Sequence, residues 1–185
     1  FYFLSRHTNY TQTEAKINLG KTLFFDPRLS HTGTISCNSC HNLMMGGDDG
    51  RQVAIANGKF STRNTPTVWN VAFVSALFWD GKATTLEEHA KYPVVGVMDM
   101  LDWKTAIQRL QQISDYKAMF VDSFTDGKIT VNNISKAIAA YERTLITPNS
   151  PYDRYVTGDK TILTKSQIVG MQLFADNSME NGNHK

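Results

Sequence analysis

Both cysteines of the 185-residue chain lie in one short segment, in which residues 37 to 41 read Cys-Asn-Ser-Cys-His. Two thiols at this spacing on a helical turn can both reach the vinyl groups on one edge of a haem, and each can form a thioether. The next residue, His41, then lies under the iron and can bind it through an imidazole nitrogen. The spacing therefore predicts one covalent haem c, attached through Cys37 and Cys40, with His41 as the axial ligand.

A pair of cysteines at this spacing has two other interpretations. A thioredoxin-like redox pair belongs to a βαβ unit, and strand signals are weak along this chain. A structural zinc site needs two further ligands at close spacing, and the chain has no second cysteine pair, so His31 would have to contribute. We favour haem over both alternatives.

The bulk composition limits the other classes of function. Hydrophobic residues make up 41% and charged residues 19% of the chain, as in an ordinary globular protein. The net charge of +2 is too small to indicate a nucleic-acid partner. No apolar run approaches the roughly 20 residues that span a bilayer. We therefore expect no nucleic-acid partner and no membrane span.

Helical signals dominate the chain. Capping residues followed by apolar residues at spacings of three and four predict helix starts at Thr11–Glu14, Thr84–Glu87, Asp102, Thr130 and Thr164. Residues 46–58 contain four glycines and predict a loop. Pro151 predicts an irregular stretch after the helix that Thr130 opens. An all-α fold with long loops, wrapped around a cofactor, is consistent with this pattern.

Several further motifs recur in one order along the chain, at 19–30, 36–41, 46–49, 63–67, 70, 78–82 and 147–155. Together they resemble the amino-terminal half of bacterial di-haem cytochrome c peroxidases, a family that also contains the methylamine-utilisation di-haem enzyme. The resemblance covers roughly residues 13–175. It implies a cytochrome c-like helical domain over 1–160 and the start of a second, truncated or degenerate domain of this type over 161–185.

The resemblance also implies roles for individual residues. The family's amino-terminal haem is the low-potential site of peroxide reduction, and Arg63 lies in a matching haem-binding motif. Trp79 matches a tryptophan between the two haems and is a candidate electron bridge; a core tryptophan is the alternative. Asn70 matches a residue near a calcium ion, which makes calcium a candidate second cofactor.

The predicted distal side of the haem departs from the family. The family places a Gln there and, ten residues later, a Glu that splits the peroxide bond by acid–base catalysis. Here these places are taken by His89 and Asp99. Either can transfer protons, while His89 is alternatively a solvent-facing or structural residue, or an iron ligand. Met98 or Met100 is a candidate sixth iron ligand, with core packing as the alternative.

Two further departures concern ligands that the family supplies. Residues 53–60 contain no His, although many relatives carry there a His that binds the resting iron. The second Cys-x-x-Cys-His is absent, and only His184 stands near its place. We therefore expect one haem. The chain is then a truncated product, a mono-haem relative or a protein whose second haem domain comes from another chain or a homodimer.

Two functions from different classes follow. The first, which we favour, is a c-type cytochrome peroxidase that reduces hydrogen peroxide to water with electrons from a small cytochrome c or cupredoxin. The alternative is a mono-haem electron-transfer or assembly module without peroxidase turnover. Because haem attachment takes place outside the cytoplasm and the chain begins at Phe1, we expect an exported, periplasmic product whose signal peptide has been removed.

Overall fold

The computed structural model describes residues 12–56, 58–92 and 102–175, which are almost entirely helical or irregular. The helices are α1 (Glu14–Phe25), α2 (Cys37–Cys40), α3 (Leu86–His89), α4 (Trp103–Gln111), α5 (Ser114–Ser123), α6 (Val131–Glu142), α7 (Pro151–Val156) and α8 (Lys165–Ala175). The strands of these ranges, β1 (Ile55–Ala56) and β2 (Lys59–Phe60), form one short antiparallel hairpin. The predicted all-α class is confirmed.

The chain divides into two compact units, Phe1–Ile146 and Thr147–Lys185. Helices α1 to α6 belong to the first unit, and α7 and α8 belong to the second. The predicted domain boundary after residue 160 stays a prediction. Among the described residues, no helix combines the length and apolar character that crossing a membrane requires.

The core of the first unit lies where α1 packs against α5 and α6. Its buried side chains are aliphatic and aromatic, and they include Leu19, Leu23, Leu110, Phe120 and Ile134. A second cluster forms around the end of α1, and its buried members are Phe24, Val68, Tyr141 and Leu145. Cys37 packs against this second cluster, so α1 and α6 together support the cysteine segment.

Short polar side chains start the helices as the sequence predicts. The oxygens of Asp102, Thr130 and Thr164 each accept a hydrogen bond from the backbone N–H three residues later. This pairs an N–H that would otherwise lack a partner in the first turn. Helix α1 begins after Thr13, which caps it in the same way, whereas the predicted start at Thr11 lies outside the described residues.

The prediction of an irregular stretch after Pro151 is wrong, because Pro151 is the first residue of α7. Ser150 caps this helix: its Oγ accepts from the N–H of Asp153 at 3.1 Å, and its own N–H donates to Asp153 Oδ2 at 2.9 Å. A proline at the first helical position lacks only an N–H that would have no intrahelical partner. Ser150 therefore predicts a helix start here, and Pro151 is compatible with it.

Gly20 permits the close crossing of α1 and α6, because a Cβ atom at this position would lie 1.8 Å from the Ala137 carbonyl oxygen. We expect Gly20→Ala to lower the free energy of unfolding by about 1–3 kcal/mol through overpacking, measured by urea denaturation. Gly170→Ala is the matched control, since no atom lies within 4 Å of its added methyl group. It should be neutral or stabilising by up to about 1 kcal/mol. Equal losses at the two positions would contradict the close-crossing argument.

Candidate functional site

Helix α2 is a single turn that places the two cysteines and the histidine together. The Ser36 N–H donates to Ser39 Oγ at 3.0 Å at its start, and the His41 N–H donates to the Cys37 carbonyl at 2.9 Å at its end. Cys40 is buried, whereas Cys37 and His41 are half-buried. The helical turn that the cysteine spacing predicts is therefore present.

The ring of His41 is oriented by a backbone carbonyl distant in sequence. Its Nδ1 lies 3.1 Å from the carbonyl oxygen of Pro66. Because a carbonyl only accepts, Nδ1 carries the proton and donates it, which leaves the Nε2 lone pair for a metal. Burial lowers the pKa of His41, against the opposing effect of the Gly47 and Pro66 carbonyls. The imidazole is thus held in the neutral form that binds iron.

The two thiols are held in their protonated form. Burial raises the pKa of Cys37 to about 12, and the Glu142 carboxylate adds to this effect. Burial also raises the pKa of Cys40, with Asp49 adding to the rise and Arg51 opposing it. Redox chemistry and zinc binding both use the thiolate. No group of three or more His, Cys, Asp or Glu residues in the described ranges is arranged to hold a metal ion.

Three buried oxygens around this segment have no hydrogen-bond partner in the described residues: Asp49 Oδ2, Thr65 Oγ1 and Glu142 Oε2. Asp49 and Glu142 act on the pKa values of the cysteines, and Thr65 directly precedes Pro66. Buried polar atoms are normally paired, so these oxygens indicate a polar group or ordered water in the loaded protein. With two thiols on one turn and an imidazole in the required tautomer, the residues fit a c-type haem.

Glu142 gives this region a specific pH dependence. It is 6% exposed, and burial raises its pKa to about 8, with Glu87 adding to the rise and Arg143 opposing it. In the unfolded chain the same carboxyl titrates near 4.5. Its contribution to stability is therefore fully present below the unfolded value and is lost as the pH rises through about 8. The free energy of unfolding should fall by up to about 1.4 kcal/mol per pH unit in this window.

Urea denaturation between pH 7 and pH 8 measures this slope, because the lowered pKa values of His41 and His89 give the opposite slope at lower pH. We expect Glu142→Gln to flatten it, since glutamine carries no titrating proton. Glu14→Gln is the control, because Glu14 is exposed at the start of α1 and its replacement should leave the slope unchanged. A slope that persists in Glu142→Gln would contradict the assignment.

His89, at the end of α3, is held by an aromatic cluster. Its ring lies 4.3 Å from that of Phe78, between centroids, and Phe78 also contacts Tyr92 at 5.3 Å. The Lys82 ammonium lies 4.4 Å from the Phe78 ring centroid. Phe78 has a φ of 65°, a left-handed conformation that is strained for a bulky residue and that clusters at functional sites.

His89 is neutral at physiological pH and interacts with His41. Burial lowers the pKa of His89 to about 4, with the charges of His41 and Lys82 as further causes. Its ring nitrogens make no hydrogen bond to any residue in the described part of the chain. The structure thus brings the predicted distal residue within electrostatic reach of the predicted axial ligand.

The other predicted residues lie nearer the surface. Trp79 is 62% exposed, and its indole N–H donates to the Asn64 carbonyl at 2.9 Å, so the core alternative for this tryptophan is wrong. The side chain of Arg63 is exposed. Asn70 is half-buried in a left-handed conformation, and its N–H donates to the Leu145 carbonyl at 2.8 Å. Haem binding by Arg63 and calcium binding by Asn70 stay predictions.

Four residues of the sequence-based analysis lie outside the described residues, and their predicted roles stay predictions. They are Met98, Asp99, Met100 and His184.

Sequence reasoning missed the parts played by Asp49, Phe78 and Glu142. Glu142 offered a signal, since it lies on the apolar face of α6, four residues after Ile138. Asp49 lies in the motif at 46–49, whose residue types alone do not indicate its burial, and no residue type in the sequence predicts the left-handed backbone at Phe78.

A family profile described as di-haem cytochrome c peroxidase matches residues 14–161, which is most of the chain. The chain belongs to the di-haem cytochrome c peroxidase family. Haem is therefore the cofactor of this family, and Cys37, Cys40 and His41 lie within the region that matches the family profile.

Two family members show how much of a complete protein the chain represents. The methylamine utilization protein MauG of Methylophilus methylotrophus is 41% identical over 171 residues, which cover 91% of this chain and 51% of that protein. The cytochrome c peroxidase Ccp of Escherichia coli K12 is 42% identical over 165 residues, which cover 88% of this chain and 35% of that protein. The chain therefore spans about half of the first relative and about a third of the second.

Solved structures of family members share the fold. A MauG-like protein associated with microbial copper homeostasis matches with a TM-score of 0.80 and 31% identity, over 89% of this chain and 50% of that one. The diheme peroxidase BthA from Burkholderia thailandensis matches with a TM-score of 0.74 and 26% identity, over 90% and 48%. The predicted cytochrome c-like helical fold is confirmed.

Proposed function

We propose that this chain is the peroxidatic-haem part of a di-haem-type cytochrome c peroxidase, which reduces hydrogen peroxide to water. The proposal rests on two histidines. His41 keeps its Nε2 lone pair for a metal, and His89 is neutral and lies within electrostatic reach of His41. Cys37 and Cys40 would hold one haem, with His41 as its axial ligand. When bound, the haem supplies the redox chemistry.

His89 would move the proton that the reaction has to relocate. Its neutral imidazole accepts a proton from one peroxide oxygen and returns it to the other, which leaves as water. The pKa of about 4 keeps the ring available as a base at neutral pH, and the Phe78 ring fixes its plane. The complete reaction consumes two electrons and two further protons per peroxide and yields two waters. Asp99 is a second candidate for this proton transfer.

Trp79 would pass electrons toward the haem. Its indole is exposed, yet it is anchored by the bond to the Asn64 carbonyl, so the ring is both accessible and fixed in place. The electrons would come from a small cytochrome c or cupredoxin, directly or through a second haem on another chain or a homodimer partner. We also propose that the protein is periplasmic and that Asn70 contributes to a calcium site.

One observation favours the alternative function of an electron-transfer or assembly module. Because the ring nitrogens of His89 lack hydrogen bonds within the described residues, His89 could bind the iron as a sixth ligand as readily as it could transfer protons. A six-coordinate iron has no position for peroxide. The two functions therefore differ in the coordination of the ferric iron.

The deciding experiment compares wild type with His89→Ala, both loaded with haem, by ferric optical spectra and by peroxide consumption with a reduced donor protein. We expect a high-spin, five-coordinate wild type, and a loss of turnover of at least about 100-fold in His89→Ala. His31→Ala, at an exposed position, is the control and should retain turnover. A low-spin wild type that becomes high-spin in His89→Ala would instead establish the electron-transfer alternative.

A further inference from the structure

Asp49 combines burial with an unpaired carboxylate oxygen. It is 9% exposed, its Oδ1 accepts from the Arg51 N–H at 3.1 Å, and its Oδ2 has no partner in the described residues. No cation in the described ranges forms an ion pair with it. A buried charge is screened far less than an exposed one, so the Asp49 carboxylate acts on its surroundings more strongly than an exposed carboxylate would.

The surroundings of Asp49 are the haem-attachment residues themselves. Asn42 and Asp48 form an antiparallel bridge, in which the Asn42 N–H donates to the Asp48 carbonyl at 3.1 Å. His41 and Asp49 directly flank this bridge on the two facing segments, so the buried carboxylate lies beside the axial-ligand segment. The carboxylate does not take the Nδ1 proton of His41, because that proton is donated to the Pro66 carbonyl. Asp49 therefore acts on His41 through its charge.

We propose that Asp49 holds down the reduction potential of the haem that His41 would bind, an inference that rests on the proposed haem site. A buried negative charge beside the segment that carries the imidazole favours positive charge on a metal bound to that imidazole. The oxidised iron carries one more positive charge than the reduced iron. The Asp49 carboxylate thus stabilises the oxidised state, which a peroxidatic site must reach during turnover.

Asp48 is a matched comparison on the same loop. It is half-buried, and its Oδ1 accepts from the Gly50 N–H at 2.6 Å. Because Asp48 is more exposed than Asp49, solvent screens its charge more strongly. Removing its charge should therefore shift the potential less, although the change in net charge is identical.

Potentiometric titration of haem-loaded wild type, Asp49→Asn, Asp49→Glu and Asp48→Asn tests the inference. We expect Asp49→Asn to raise the midpoint potential, so that the oxidised-to-reduced ratio at a fixed potential falls about tenfold, or 59 mV for one electron. Asp49→Glu should stay near wild type and Asp48→Asn should shift less. Asparagine keeps an acceptor for the Arg51 N–H; if it nevertheless prevents folding, Asp49→Ser carries the same expectation.

The outcomes separate this inference from the proposed function. Intact mass shows whether haem is attached, and wild type without a haem adduct would overturn both the site and the inference. A haem adduct with equal potentials in wild type and Asp49→Asn would overturn the inference alone. Equal shifts in Asp49→Asn and Asp48→Asn would also overturn it, since the effect would then follow net charge and not the buried position.

Discussion

The double variant Cys37→Ala/Cys40→Ala is expected to lose its covalent haem completely, whereas each single variant should keep one thioether. Each thiol can form one bond to the ring, and the chain contains no other cysteine. Intact mass of protein exported from a host with a haem-attachment system measures the adduct directly. The expected result for wild type is the mass of one haem, and for the double variant the mass of the bare chain.

Met44→Ala is the control for this experiment, because Met44 lies three positions beyond His41 and is 92% exposed. It should carry the same adduct as wild type. A haem adduct on the double variant would contradict attachment through the cysteines, and an adduct of two haems on wild type would contradict the prediction of one.

Loss of the haem should also weaken the fold. Cys37 packs against the cluster of Phe24, Val68, Tyr141 and Leu145, so a ring attached there would join α2 to the core formed by α1 and α6. A group that is bound only in the folded state adds to stability. The double variant should therefore unfold at a lower temperature than Met44→Ala.

Features that depend on residues three or four positions apart could be predicted from the sequence. The turn that carries Cys37 and Cys40 is of this kind, and so are the caps at Asp102, Thr130 and Thr164. Helix α5 gave no such signal, because Ile113 precedes it and supplies no capping side chain. Helix α7 was not predicted, because Pro151 was interpreted as a helix breaker without regard to the N-cap that Ser150 supplies.

Features that depend on contacts between distant segments could not be predicted. The carbonyl that selects the tautomer of His41 is 25 residues away, at Pro66. The burial of Glu142 beside Cys37 arises only when α6 packs near α2, and the contact between the His89 and Phe78 rings involves a strained backbone at Phe78. The resemblance to the family supplied the location of the distal side at His89, but not the neutral state of that imidazole.

Glu87→Ala is expected to destabilise the protein by about 3–5 kcal/mol. Glu87 on α3 and Arg143 at the end of α6 form a two-point ion pair, with N–O distances of 2.6 and 2.8 Å and side chains that are each 9% exposed. Removing the carboxylate leaves the Arg143 charge buried without its partner. Because His89 lies two residues after Glu87 on α3, the proposed peroxide turnover should fall together with stability.

Urea denaturation measures the loss, and Asp159→Asn is the matched control. Asp159 pairs with Arg154 at 2.6 Å, but the side chains are 34% and 51% exposed, so breaking that pair should cost at most about 1 kcal/mol. The double variant Glu87→Leu/Arg143→Met removes both buried charges and should recover most of the stability. Equal losses in Glu87→Ala and Asp159→Asn would show that burial does not set the strength of the Glu87 pair, and that α3 is held to α6 by its apolar contacts alone.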